Sequence, residues 1–205
     1  MSTEHRILVG VTGASGSVYA ERLVEALLPL VPRIYLVFSE TACKVVQHEL
    51  TERKDGGFSL LRASRGDVEE KHRTILRLFG NDDLFAPIAS GSSAPTAMVV
   101  APCSMGSLAR IAHGTSTNLL ERSADVVLKQ RRPLILAPRE TPLSSIHLRN
   151  MLTLSDMGAH IVPAMPGFYQ KPKTVDDMVD FVVGRLLEAL GFPHDLYPAW
   201  NKRMR

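Results

Sequence analysis

Short, nearly continuous apolar runs alternate along the chain with longer stretches whose apolar positions recur every three or four residues. Residues 6–11, 33–38, 97–102, 133–137 and 159–162 read as buried strands. Residues 18–28, 41–50, 106–112, 118–130, 144–156 and 175–190 carry the helical period. In the first helix Ala20, Leu23, Val24, Leu27 and Leu28 form the inward stripe. In the 144–156 helix Ile146, Leu148, Met151, Leu152 and Leu154 form the apolar set. Pro29 and Pro32 bracket the first helix-to-strand turn, and Gly191 and Pro193 stop the last helix. Between 51 and 83 the pattern dissolves into charges, which reads as a surface excursion with room for one short helix or strand. Apolar strands separated by helices predict a single α/β domain over 1–205, with a mostly parallel sheet covered on both faces and a tail from about 191.

In such a sheet ligands bind beyond the carboxyl ends of the strands. The first end, 7–17, reads ILVGVTGASGS: a strand, a loop of glycines and small hydroxyls, then a helix. That arrangement can hold a phosphate on backbone N–H groups and a helix start. Its spacing, Gly10-x-x-Gly13-x-x-Gly16, matches neither the dinucleotide fingerprint nor a P-loop. Gly13 is expected to leave room for the ligand. The second end carries Ser39, and the third carries Ser104, Met105, Gly106 and Ser107, a second cradle or a simple helix cap. The fourth carries Arg139 and Glu140 between prolines, where a guanidinium can clamp a phosphate and a carboxylate can move a proton. Ser90 belongs to a further run of small residues. Arg122 and Lys129 lie two turns apart on one helix face, with Asp125 between them and Glu121 beside them, a pattern that a salt-bridged solvent face also explains. By position alone, Glu49 is an outward helix carboxylate, Tyr169 a loop aromatic, Arg185 a helix surface charge and Trp200 a pin for the tail.

Composition removes several function classes. No apolar run among the 205 residues is long enough to cross a bilayer, and the polar start MSTEHR lacks a secretory pattern, so a cytoplasmic protein is expected. The net charge of +3 comes without interleaved basic and aromatic residues, which argues against a nucleic-acid surface. Cys43 and Cys103 are sixty residues apart and read as reduced thiols. The seven histidines show no zinc-like spacing, and Asp82-Asp83 and Asp176-Asp177 lack the spacing of magnesium-dependent prenyl synthases. Metal catalysis is not indicated, and there is no G-x-S-x-G elbow.

TGASGS, ASGSSAP (89–95), APCSMGSLA (101–109), NLLERSADVVLK (118–129), RRPLILAPRETPLSSIHLRNM (131–151) and PGFYQKP (166–172) together resemble the UbiX-like flavin prenyltransferases. The likeness runs from Ile7 to about Trp200, interrupted after Glu49. It implies a flavodoxin-like or Rossmann-like three-layer fold, a homododecamer, and metal-free joining of a dimethylallyl group to N5 and C6 of reduced FMN. Dimethylallyl phosphate is the implied donor; the choice between mono- and diphosphate stays open. The prenylated FMN would pass to a UbiD-type decarboxylase. By the same resemblance Gly13, Ala14, Ser15, Ser39, Ser104, Met105, Gly106, Ser107 and Arg139 match FMN-contacting positions. Ser90, Arg122, Lys129, Arg139, Glu140, Tyr169 and Arg185 match positions around the prenyl phosphate. Ser15, Glu49, Lys129 and Glu140 are the implied catalytic set, with Glu49 near the flavin and Trp200 at the mouth. Met105 is bulkier than expected in that cradle and is tolerated if only its backbone is used. Two alternatives stand beside this reading. A cysteine decarboxylase of the same fold would show PASANT-type and P-x-M-N-x-x-M stretches, where this chain has APCSMGS and APRETPL. A non-catalytic flavin carrier would not need the Arg/Lys/Glu set.

Overall fold

In a computed structural model, which describes residues 5–52 and 56–198, β1 (Arg6–Val11) is the hinge of the topology. The chain leaves it through α1 (Ser17–Leu27) to β2 (Arg33–Phe38), then through α2 (Glu40–Glu49) and α3 (Leu60–Ala63) to β3 (Leu76–Phe79). It then crosses back to the other side of β1 and forms β4 (Ala97–Cys103). From there α4 (Met105–Ala112), α5 (Leu119–Lys129), β5 (Leu134–Pro138), α6 (Ser145–Asp156), β6 (His160–Ile161) and α7 (Val175–Leu190) complete it. The order is β3-β2-β1-β4-β5-β6 with every pairing parallel, the doubly wound order with its crevice between β1 and β4. This is the three-layer flavodoxin-like/Rossmann-like fold expected from the sequence.

Strand periodicity explains the two-sided core. Ile7, Val9 and Val11 of β1 join Val99 and Ala101 of β4 in one apolar cluster with residues of α1 and α7. Leu8 joins Met98, Val100 and Cys103 in the other, with residues of α4 and α5. Successive side chains point to opposite faces, so both faces must be apolar.

Two expectations need correction. The 51–83 excursion is not only surface: Phe58, Leu60, Leu61, Ala63, Val68 and Leu76 are buried in the main core, and β3 is the edge strand paired with β2. Its signal is weak because four residues, one of them the exposed Arg77, make the whole strand. In α6 only Asn150 and Leu154 are buried, and Ile146, Leu148 and Leu152 are more than half exposed. That apolar set is thus split: Leu154 and Met151 pack against the core of their own chain, while Ile146, Leu148 and Leu152 do not.

Candidate active site

The exits of β1, β4 and β5 are tied together in spatial order. Thr12, at 1% exposure, donates its amide and its hydroxyl to the Pro102 carbonyl (3.2 and 2.9 Å) and accepts from the Ser104 amide at 2.7 Å. The Arg139 amide donates to the Cys103 carbonyl at 3.3 Å, which carries the tie on to β5. In the sequence Thr12 stands only as the first residue of the loop after β1. A buried hydroxyl at a strand end was the available signal, because such a group needs a partner.

The turn after β1 departs from the expected phosphate site. Gly16 caps α1 in a left-handed conformation (φ 114°). Its amide donates to both Glu49 carboxylate oxygens (3.2 and 3.0 Å), and the Ser17 amide donates to one of them at 2.8 Å. Glu49, on the last turn of α2, therefore already supplies the anion that the α1 N-terminus attracts. It is not the free outward carboxylate that its position suggests. Burial pushes the Glu49 carboxyl up, but hydrogen bonding from Ser15 and the Ser17 and Gly16 amides outweighs this and holds it below its ordinary range.

The glycines of this turn answer to their neighbours. A Cβ on Gly13 would stand 2.5 Å from the Thr41 methyl carbon of α2. The Cβ position at Gly13 is thus claimed by the packing of α2, so a larger residue there would disturb α2 as well as the loop. A Cβ on Gly16 would meet the Tyr19 ring at 2.8 Å, in a backbone region already unfavourable for other residues. Gly16→Ala is expected to lower stability by about 1–2 kcal/mol, read as a drop in Tm.

Arg139 reaches across the end of β4 to donate Nε to the Ser15 carbonyl at 3.1 Å. Its charge partly offsets the burial that raises the Tyr19 phenol. Glu140 is exposed and accepts from the Thr141 amide at 3.0 Å. The Ser39 hydroxyl caps α2 on Ala42 (3.1 Å), and the Ser104 hydroxyl caps α4 on Ser107 (3.3 Å). Met105 is 6% exposed and packs into the second core cluster, so only its backbone is left for a ligand. Gly106 is exposed and Ser107 buried. Cys103 is no nucleophile, because burial pushes its thiol up to about 12.

The remaining candidates form two other groups. Arg122 donates to the Ala89 carbonyl (3.2 Å), beside Ser90, and to Asp125 (2.8 Å), the salt-bridged arrangement that its spacing allows. Lys129 is exposed on the last turn of α5. Glu121, by contrast, is buried and pairs with Arg110. Tyr169 meets Phe181 edge-on at 5.6 Å. Arg185 pairs with Glu188, which also accepts from the Tyr197 hydroxyl at 2.9 Å, and it lines a cavity of about 570 Å³ with Val162, Pro163 and Met165. Arg122 and Arg185 are each engaged with neighbours of their own, Ala89 and Asp125 for the one and Glu188 for the other. Trp200 lies outside the described residues. Among the described residues no three His, Cys, Asp or Glu side chains gather as a metal site.

Two helix N-termini flank the β1/β4 crevice, and they differ. That of α1 is filled by Glu49. In α4 the Ser104 oxygen takes only the Ser107 amide, so the Met105 and Gly106 amides of the first turn remain for an acceptor. With Arg139 bonded to Ser15 across them, these groups suit a flat, polar, anionic ligand such as a flavin mononucleotide.

The flavoprotein family model matches residues 1–187. The chain is 46% identical to the flavin prenyltransferase UbiX of Pseudomonas aeruginosa, over 99% of this chain and 97% of that one. The crystal structure of AnUbiX in complex with FMN and dimethylallyl pyrophosphate aligns with a TM-score of 0.85 and 37% identity, over 97% of this chain and 98% of that one. A dodecameric FMN-dependent UbiX-like decarboxylase from Escherichia coli O157:H7 aligns with a TM-score of 0.84 and 39% identity, over 95% of this chain and 98% of that one.

Proposed function

The chain belongs to the flavoprotein family and, within it, to the UbiX flavin prenyltransferases; from that premise we propose that it transfers a dimethylallyl group from dimethylallyl phosphate to N5 and C6 of reduced FMN without a metal ion. The observation that carries this reading is the bond from Arg139 across the β4 exit to Ser15. It sets a cation, the Glu49-held loop and the open amides of α4 around one crevice.

In this reading Gly13, Ala14, Ser15, Ser39, the 104–107 turn and Arg139 hold FMN, whose electron-rich reduced ring is the acceptor of the allyl group. An allylic phosphate ionises when its leaving anion is stabilised and water is excluded. Arg122, Lys129, Arg139 and Arg185 supply positive charge to that anion, with the Ser90 and Tyr169 hydroxyls as further partners. Glu140 moves a proton coupled to phosphate departure. Glu49 and Ser15 orient the reacting edge of the ring, and Trp200 closes the mouth.

The Ser90/Arg122/Lys129 and Tyr169/Arg185 groups are carried by other elements than the Arg139 crevice, the first by α5 and the turn before β4, the second by α7 and the turn after β6. A closed homo-oligomer, of the kind seen in the dodecameric relative, would bring them in from neighbouring subunits. The exposed apolar face of α6 is suited to such contacts. The product would go to a UbiD-type decarboxylase in the cytoplasm. No helix among the described residues is long and apolar enough to cross a membrane, and neither a membrane nor a nucleic acid is part of this reading.

The test is anaerobic incubation with FMN, a reductant, a chelator and either dimethylallyl monophosphate or diphosphate, followed by the mass of the released flavin. A gain of one dimethylallyl group is expected with at least one donor. An unchanged flavin mass with both donors would overturn the proposal.

A further inference from the structure

Arg110 and Glu121 belong to no role assigned so far, yet they connect directly to the α4 turn. Side chains on a helix lean toward its N-terminus, and Arg110 does so. Its Nη2 donates to the Ser107 hydroxyl oxygen at 3.3 Å, and its Nη1 lies 3.5 Å from where a Cβ on Gly106 would stand. The other edge of the guanidinium is held by Nε on the Glu121 carboxylate. That carboxylate is 1% exposed, and its second oxygen accepts from the Thr117 amide (3.3 Å) and hydroxyl (2.9 Å). Burial raises the Glu121 pKa, but the hydrogen bonds from Arg110, Asn118 and Thr117 outweigh it and keep the group ionised. A buried charge is this expensive unless it is paired, so the pair fixes the guanidinium rather than merely decorating a surface.

The polarity of the hydrogen bonds shows what is fixed. A hydroxyl has one proton and two acceptor lone pairs. Ser107 Oγ accepts from Arg110 and also from the Ser104 hydroxyl at 3.1 Å. Both lone pairs are therefore engaged, and the Ser107 proton is the part left over. The Ser104 hydroxyl gives its single proton to Ser107 and takes the Ser107 amide on one of its two lone pairs. We propose that Glu121 and Arg110 are a positioning pair for the α4 turn, committing Ser107 as a proton donor to an acceptor atom of the flavin, a carbonyl oxygen or an unprotonated ring nitrogen. This rests on the reading of residues 104–107 as flavin contacts. Without the guanidinium, the Ser107 hydroxyl can rotate and bond back to the carbonyl four residues earlier, as serines in helices do.

A double-mutant cycle on the full chain tests it, with FMN affinity read by quenching of flavin fluorescence. Ser107→Ala and Arg110→Met are each expected to weaken FMN binding by about tenfold. The double variant should be no weaker than Ser107→Ala within about twofold, because the guanidinium acts through that hydroxyl. Glu121→Gln removes the charge that holds Arg110 and sets an amide NH2 against one of its donors, so it is expected to weaken FMN binding severalfold in the parent but not beside Ser107→Ala, and an unchanged affinity would overturn its part in the pair. If Arg110→Met does not fold, Arg110→Lys serves, since an ammonium cannot hold both Glu121 and Ser107 in one plane. Additive losses in the two backgrounds would overturn the positioning role while leaving the flavin cradle intact. Tight FMN binding unaffected by Ser107→Ala would overturn the cradle reading at this turn, and the positioning role with it.

Discussion

Arg139→Ala is expected to give a folded protein that binds FMN more weakly and transfers the dimethylallyl group about ten- to a hundredfold more slowly. A hydrogen bond between charged partners contributes roughly 1.5–3 kcal/mol, and each 1.36 kcal/mol lost only in the transition state is about tenfold in rate. Folding should survive because the strand exit is held by the Arg139 amide on Cys103, which alanine keeps, while the side chain makes its bond to the Ser15 carbonyl from a half-buried position. Lys129→Ala should lose turnover in the same way, since Lys129 is exposed at the end of α5. Glu140→Gln is expected to lower turnover as well, because that carboxylate moves a proton in this reading; turnover at the parental rate would leave it only placing a cation. The readout is flavin mass against time under anaerobic conditions, with melting curves for each variant. An Arg139→Ala enzyme turning over at the parental rate would remove Arg139 from the machinery.

What the sequence made legible depended on whether a feature was local. The apolar runs of β1 and β2 and the periodic face of α7 match the observed elements residue for residue, because strands buried on both faces and a long amphipathic helix leave strong patterns. β3 was hidden: a four-residue edge strand carries too little period to stand out among charges. The anchors Phe58, Leu60 and Leu61 are buried by a fold-back that no local pattern announces. The same distinction governs the site. Strand exits rich in small hydroxyls pointed to the crevice, and Ser39 and Ser104 duly sit on helix starts. Their hydroxyls cap those helices, which is what serine at such a position does first.

The misses are all contacts between distant elements. Thr12 clamps β4 ninety residues on. Glu121 looked like a solvent-face neighbour of Arg122, yet it turns inward to Arg110 on the preceding helix. In α6 the apolar spacing marks an apolar face, but periodicity does not say which surface will cover it. For a chain with an oligomeric relative, that covering surface can belong to another subunit.

Glu49 was the most consequential of these, and its replacement should show a loss of stability together with a loss of activity. Glu49→Ala removes the acceptor from the Gly16 and Ser17 amides at the start of α1. Donors left unpaired cost about 1–3 kcal/mol, and Ser17 is only 1% exposed, so water cannot readily replace the carboxylate there. A net loss of about 2 kcal/mol is expected, or roughly 4–8 °C in Tm for a chain of this size. Glu49→Gln keeps one acceptor but no charge, and should fall between Ala and the parent. The pH dependence identifies the charge. The folded Glu49 carboxyl is held below its ordinary value, so the unfolded chain takes up its proton first as pH falls. The stabilisation is therefore fully present above the unfolded carboxyl range, near pH 4.3, and is lost as pH falls through the lower, folded pKa. The stability gap between the parent and Glu49→Gln should accordingly be constant near neutrality and close below about pH 4. Urea unfolding of the two proteins from pH 7 down to pH 3 measures it. A gap that stays the same over that whole range would show that the carboxylate charge does not hold the start of α1.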